Sequence, residues 1–374
     1  MPDLTVPGPG PSGLAEDEPP DKVVAAQLRA APLERLLDYG LAAADALCLR
    51  DRVREGWTWD AAGLQLAHAH LAAADAAADA GLPASRTHHL LAAAVTGSVA
   101  QLMMAGDTEP RRDIYRLSVH ARDRWLADQA DQAALLDVPG ADGQLSVVIL
   151  RPAAAAGRTP VVAVWGGTSG WGIVYQRSAR ALLDQGLTVA LVELPGQGSP
   201  RLLHGAALGP GLYQTARSLL TTLRDAPFST GRVGLWGQSL GGLLAAQVAS
   251  RVPLVSACCV TSGPASPPGL SGHPSTRQRQ LWADMLGGDQ TDAQRQAATF
   301  SFRPGQRIGC PVLVVHGGRD PLVSEAEATA FARAGTDQGR LVIWPDQGHC
   351  VYGRAQERDV LAASWFREAL TRPT

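Results

Sequence analysis

The sequence predicts an α/β fold, a mostly parallel β-sheet with helices on both faces, preceded by an all-helical accessory domain. Two observations carry this expectation. Short apolar runs alternate with helical periodicity from about residue 139 to the C-terminus, the signature of a parallel sheet covered on both faces. Before that point the apolar residues recur at three- and four-residue steps with no strand-like run between them. At 374 residues the chain is also longer than one average domain, and its 45% hydrophobic content is enough to bury a large core.

Residues 1–21 are rich in proline, glycine and acids and read as a mobile tail, without the basic start and apolar run of a signal peptide. Residues 22–138 read as a helical N-terminal cap domain. Leu33, Leu36, Leu37, Leu41, Ala44, Leu47 and Cys48 mark one apolar helix face. Trp59 to Ala80 is alanine-rich, and Ser85 is placed to cap a helix carrying Leu90, Leu91, Ala94, Val95, Val99, Leu102 and Met103. Ile114 to Trp125 continues the pattern, and the helical reading runs to about Leu136.

Residues 139–374 read as the catalytic domain. Strands are expected at Leu145–Leu150, Val161–Trp165, Leu187–Val192, Val233–Trp236, Val255–Thr261, Val312–His316 and Leu341–Trp344. Helical patterns fall at Gln176–Gln185, Leu212–Arg224, Leu240–Arg251, Glu325–Ala334 and Gln356–Leu370. Residues 264–306 are too long for a simple connection and are expected to add helices near the carboxyl edge of the sheet.

A net charge of −2 and a pI near 6.5 give no basic stripe for nucleic acid. Cys48, Cys258, Cys259, Cys310 and Cys350 form no C-x-x-C pair, which fits a reducing compartment better than a disulfide framework. His68, His70, His88 and His89 show no convergent acids in the sequence, so no metal and no cofactor are expected. No apolar stretch approaches the length of a bilayer-spanning helix. The expectation is a soluble cytoplasmic protein acting on a small molecule, with no nucleic-acid or membrane partner.

The chemistry is concentrated in Gly237-Gln238-Ser239-Leu240-Gly241, a G-x-S-x-G segment that follows an apolar run and opens a helical one. A sharp strand-to-helix turn crowds the neighbours of its central residue, so glycines flank it, and the helix N-terminus favours developing negative charge there. A glycine-rich turn with an incidental serine is the bland alternative. Asp320, at the end of Val312–Pro321, and His349, in the segment after Leu341–Trp344, complete the order Ser, Asp, His. A serine hydroxyl is a weak nucleophile near neutral pH. An imidazole must accept its proton, and a carboxylate on the far ring nitrogen fixes the tautomer. Asp346 competes with Asp320 but shares a loop with His349, and residues 240–283 contain no Asp or Glu.

The backbone N–H groups of Leu240 and Gly167 are the expected oxyanion donors, with Thr168 as the alternative to Gly167. Thr168, Trp171 and Tyr175 are the candidate substrate-binding residues, each also readable as plain core or surface. Trp282, Met285 and His204 share that ambiguity. Glu193 reads as a loop tie, His316 as a satisfied structural histidine, and Cys350 as incidental.

On these motifs residues 139–370 resemble the α/β-hydrolase superfamily. The whole chain resembles its FrsA-like/DUF1100 esterase group, which includes 2,6-dihydroxypseudooxynicotine hydrolase and fungal polyketide-shortening hydrolases. The resemblance is carried by the helical N-terminal domain, Val164-Trp165-Gly166-Gly167-Thr168, Glu193-Leu194-Pro195-Gly196-Gln197-Gly198 and Gly237-Gln238-Ser239-Leu240-Gly241-Gly242. It implies that the helical domain covers the active site, that the substrate lies between domains, and that dimers form through the helical domain. It implies cleavage of esters or of carbon–carbon bonds next to a ketone, the latter with an extra acid near the substrate. No carboxylate follows Ser239 until Asp284.

The leading expectation is therefore hydrolysis of an ester, lactone or thioester of a bulky, natural-product-like molecule through an acyl-Ser239 intermediate. Carbon–carbon bond hydrolysis of a β-diketone or polyketide-like substrate is the second enzymatic reading. An acyltransferase or cyclase using the same acyl-enzyme is a third, and a non-catalytic binding protein on the same fold is the rival from another class.

Overall fold

The computed structural model describes residues 20–129, 132–153, 157–267, 276–288 and 290–372. Residues 1–19 of the expected tail lie outside the described residues. Two compact units are present, Met1–Trp125 and Leu126–Thr374.

The first unit is helical: α1 (Pro20–Ala30), α2 (Leu33–Asp38), α3 (Ala43–Arg54), α4 (Trp59–Asp79), α5 (Pro83–Ala100) and α6 (Glu109–Ala127). The apolar face expected from Leu33 to Cys48 is split between α2 and α3, because Gly40 adopts φ +99 and ends the first helix. Thr58 caps α4, its hydroxyl accepting from the Ala61 N–H. Ser85 does not cap α5. That helix opens at Pro83, whose fixed φ and missing N–H suit the first helical position. Alanines and Gly63 let α4 and α5 approach closely, a Cβ on Gly63 falling 2.7 Å from that of Ala100.

The second unit is built on an eight-stranded sheet ordered β1-β2-β4-β3-β5-β6-β7-β8. Its strands are β1 (Ala133–Gly140), β2 (Gly143–Leu150), β3 (Thr159–Trp165), β4 (Thr188–Leu191), β5 (Ser229–Gln238), β6 (Ala257–Thr261), β7 (Pro311–Gly317) and β8 (Thr336–Trp344). From β4 through β8 neighbouring strands run parallel, whereas β2 is antiparallel to both β1 and β4. The seven expected strands are present. The eighth, β1, occupies residues read as the end of the helical block. Alanine and leucine there favour helix by propensity, but full-length pairing with β2, from Ala133↔Leu150 to Gly140↔Gly143, overrides it.

Helices α7 (Gln176–Asp184), α8 (Gly198–Leu202), α9 (Leu212–Asp225), α10 (Leu240–Arg251), α13 (Glu325–Ala334) and α14 (Ala355–Thr371) join the strands. Between β6 and β7, α11 (Thr276–Leu286) and α12 (Gln290–Ala298) supply the helices expected within 264–306. Strand residues alternate between two covered faces. Val161, Ala163, Trp165, Val233, Leu235, Cys258, Val260, Val312 and Val314 join one core with α9, α10 and α13. The residues between them face the other side, where the Trp236 ring meets Phe366 of α14 and a Cβ on Gly234 would meet the same ring at 2.7 Å. Both faces being covered explains why these strands read as continuous apolar runs.

Candidate active site

Three loops at the carboxyl edge of the sheet bring Ser239, His349 and Asp320 together. Ser239 sits between β5 and α10 with φ 55 and ψ −129, a conformation that L-residues rarely adopt. The chain can turn this sharply only with glycine on either side. A Cβ on Gly237 would lie 2.0 Å from the Gly241 carbonyl oxygen, and one on Gly241 would lie 2.3 Å from that of Gly166. Trp165 braces the turn from β3, its indole N–H donating to the Gly241 carbonyl at 2.8 Å.

His349 Nε2 lies 2.9 Å from Ser239 Oγ, and its Nδ1 lies 2.8 Å from Asp320 Oδ2 and 3.1 Å from Oδ1. The Asp320 side chain is fully buried. Its Oδ1 accepts the N–H groups of Leu322 at 2.9 Å and Val323 at 3.2 Å, which fixes the carboxylate plane. Burial alone would raise the Asp320 pKa, but the bonds to His349, to the Leu322 N–H and to Ser262 outweigh it and hold the group below the usual carboxylate range. Burial likewise disfavours a charged His349. The neighbouring Cys350 sulfur and Asp320 carboxylate outweigh that, and the imidazole is held above the ordinary histidine value. Asp346, the competing acid, is exposed and turned to Gln347 and Arg354.

The Leu240 N–H opens α10 and is one of the amides without an intrahelical acceptor. Gly167 packs against it: a Cβ there would lie 3.3 Å from the Leu240 nitrogen and 3.0 Å from Ser239 Cβ. Gln197, which the sequence reading passed over, anchors this loop. Its buried side-chain amide donates to the carbonyls of both Gly166 (2.7 Å) and Gly167 (2.9 Å), while its Oε1 accepts the Leu194 N–H. In a trans peptide the N–H points opposite to the C=O, so both following amides, those of Gly167 and Thr168, are turned away from Gln197.

Thr168 is half-buried. Trp171 and Tyr175, expected to bind substrate, are buried behind the loop. The Trp171 indole donates to the Gly167 carbonyl at 3.0 Å, and the Tyr175 hydroxyl packs so close to Gly166 that a Cβ there would come within 2.5 Å. These contacts brace the loop. Glu193 ties its own loop, accepting the Ser199 N–H at 2.7 Å. Trp282 and Met285 are core, and His204 is exposed.

Several histidines depart from expectation. His316 is buried, yet its Nδ1 has no partner among the described residues, and burial lowers its pKa. An acid does converge on His70: Asp45 Oδ2 lies 3.0 Å from its Nε2, and His89 Nδ1 lies 3.1 Å from its Nδ1. Sequence spacing hid this because Asp45, His70 and His89 stand on three different helices. Among the described residues no group of three or more potential ligands is placed to hold a metal ion, and no helix is long and apolar enough to cross a membrane. Ser262, another residue given no role from sequence, lies at the end of β6, and its Oγ accepts the Cys350 N–H at 2.9 Å.

Known proteins share this architecture. The chain is 23% identical over 339 residues to the 2,6-dihydropseudooxynicotine hydrolase of Paenarthrobacter nicotinovorans, spanning 90% of this chain and 91% of that protein. The solved structure of 2,6-dihydroxy-pseudo-oxynicotine hydrolase superposes with a TM-score of 0.80 at 22% identity, covering 90% of this chain and 95% of the other. AbyA5 superposes with a TM-score of 0.60 at 19% identity, covering 81% and 91%. Residues 161–363, which hold β3 through most of α14 and all three of the converging side chains, match the alpha/beta hydrolase family. The chain belongs to the α/β-hydrolase family and is a hydrolase related to 2,6-dihydroxypseudooxynicotine hydrolase.

Proposed function

We propose that this hydrolase cleaves a carbon–carbon bond beside a ketone in a bulky aromatic or polyketide-like molecule, with Ser239 as nucleophile, His349 as base and Asp320 orienting the base. The observation that carries the choice of substrate is the similarity over 90% of the chain, helical unit included, to a hydrolase named for 2,6-dihydroxy-pseudo-oxynicotine. The FrsA-like group that the sequence resembles includes such carbon–carbon cleavers.

In this reading Ser239 Oγ adds to the ketone carbonyl as its proton passes to His349 Nε2 across the 2.9 Å contact. The N–H groups of Leu240 and Gly167 stabilise the resulting oxyanion, each donor being worth about 2.7–4 kcal/mol in comparable sites. Collapse of the tetrahedral adduct breaks the carbon–carbon bond. The bonding pair leaves with the departing carbon, which takes the proton from His349. Water, deprotonated by His349, then hydrolyses the acyl-Ser239 ester to a carboxylic acid and the free serine. Asp320 stabilises the imidazolium in both halves.

The leaving group in this scheme must stabilise its own developing negative charge. The first carboxylate after Ser239 in the sequence is Asp284, and it is buried in an ion pair with Arg201 at 3.1 Å. That requirement points to a 1,3-dicarbonyl or a hydroxylated aromatic ketone. Ester, lactone or thioester hydrolysis is the second reading, favoured by the same Ser239–His349–Asp320 geometry, which needs no such assistance from the leaving group.

The test compares kcat/KM for an aryl 1,3-diketone and for the p-nitrophenyl ester of the same acyl group. The diketone is expected to be turned over at least about tenfold more efficiently. Faster ester turnover hands the assignment to the second reading. Ser239→Ala is expected to abolish both activities and labelling by a fluorophosphonate, and persistent labelling discards the nucleophile.

A further inference from the structure

Of the four consecutive strands β5-β6-β7-β8 that end beside the site, β5 leads into Ser239, β7 into Asp320 and β8 into the segment carrying His349. The fourth, β6, contributes no member of the triad, yet its end touches the carriers of all three. The Thr261 carbonyl accepts the Ser239 N–H at 2.8 Å, and the Ser262 N–H donates to the Val315 carbonyl of β7 at 2.8 Å. The Ser262 hydroxyl accepts the N–H of Cys350, the residue after His349, at 2.9 Å. Two consecutive residues therefore hold the nucleophile turn, the acid strand and the base turn in one frame.

We propose that Ser262 is a positioning residue for the triad, its buried hydroxyl fixing the turn that carries His349 relative to the loop that carries Asp320. The inference rests on the reading of Ser239, His349 and Asp320 as catalytic. Ser262 is 1% exposed and adopts φ 46, where a glycine would sit without strain. What glycine lacks is the hydroxyl. Cys350 and Val351, which follow His349, are also left-handed, at φ 59 and φ 56. A β-branched residue with positive φ is costly, and that turn persists only where its surroundings over-determine it. The bond from the Cys350 N–H to Ser262 is one such constraint. The same hydroxyl favours the ionised form of Asp320, the acceptor that faces His349 Nδ1. Loss of the hydroxyl leaves the buried Cys350 N–H unpaired and lets the imidazole swing relative to both of its partners.

The experiment measures the rate of Ser239 phosphonylation by a fluorophosphonate as a function of pH, followed by mass spectrometry, in wild type, Ser262→Ala, Ser262→Gly and Ser239→Ala. Melting temperatures are recorded alongside. Both Ser262 variants are expected to react about 10- to 100-fold more slowly, as misplacement of a catalytic group by a fraction of an ångström to an ångström does elsewhere. Their acid limb is expected to move down by roughly half a unit to one unit, because an imidazolium no longer aligned with Asp320 is less stabilised. Ser262→Gly relieves the backbone strain, which offsets part of the cost of the unpaired Cys350 N–H, and is expected to melt above Ser262→Ala while remaining slow. It carries the test if the alanine variant fails to fold. A glycine variant with wild-type rate and pH profile overturns the proposal, since the backbone alone would then suffice. Labelling of Ser239→Ala at the wild-type rate defeats the triad reading and this inference with it. Silent Ser239→Ala beside an unaltered Ser262→Gly defeats this inference alone.

Discussion

His349 has to be neutral before it can accept the proton of Ser239, and its surroundings favour the charged form. The folded-state pKa is raised, so the acid limb of kcat/KM, which follows the free-enzyme base, is expected above the ordinary histidine value of about 6.5. A pH–rate profile with a half-maximum below that value contradicts the environment described for the imidazole. The linkage runs the other way for stability. A raised histidine contributes fully below its unfolded pKa and loses that contribution as pH rises through the folded one. His349→Gln, which cannot titrate, is therefore expected to lose its stability deficit relative to wild type as the pH is raised above neutrality, read by paired thermal melts. Part of this site was legible from single residues. Ser239, Asp320 and His349 stand in motifs whose spacing is local to one strand–loop junction each. Ser262 was not legible, because nothing in Thr261-Ser262-Gly263 indicates that a hydroxyl there meets an amide 88 positions later in the chain.

At the level of loops and strands, Gln197 illustrates why a motif can be visible and its purpose hidden. The glycines and proline around it mark a tight turn by composition. That its side chain reaches back to β3 and holds two successive carbonyls depends on the β3–β4 pairing, which is set by tertiary structure. Gln197→Glu keeps the size but replaces the two donated bonds with repulsion between a carboxylate and two carbonyl oxygens. The expected result is a loss of about 1–3 kcal/mol of stability for the buried groups left unpaired. A fall in kcat of about tenfold or more with KM changed little is expected beside it, since an oxyanion donor matters most in the transition state. Unchanged kcat in a destabilised variant would make Gln197 a fold residue only. The strand β1 was missed for a related reason. Ala133–Gly140 carries little β-propensity of its own, and only its register with β2 makes it a strand. By contrast, α10 and α13 begin and end where the sequence places them, because a glycine-flanked turn and the Ser324–Glu327 capping box are encoded within a few residues.

Across the molecule, the cysteines offer a test of how the described cores are closed. Cys258, Cys259, Cys310 and Cys350 are buried, and burial pushes the Cys310 thiol up to about 12 and those of Cys258 and Cys259 well above the ordinary range. Cys48 is only half-buried. Titration of the native protein with a chromogenic disulfide is expected to modify Cys48 readily and Cys258, Cys259 and Cys310 only after denaturation, because the thiolate is the reactive species. Fast reaction at Cys258 or Cys259 would mean that the sheet opens locally. The distribution of backbone conformation has a longer reach. All four non-glycine residues with left-handed φ among the described residues, Ser239, Ser262, Cys350 and Val351, border the same few ångströms of reactive space. At Ser239 and Ser262, which carry small side chains, glycine relieves the backbone strain while removing the hydroxyl that the chemistry uses. A lineage of this architecture released from selection for turnover is therefore expected to accumulate glycine and asparagine there first, which makes those positions the ones to inspect when sorting working enzymes from inert descendants.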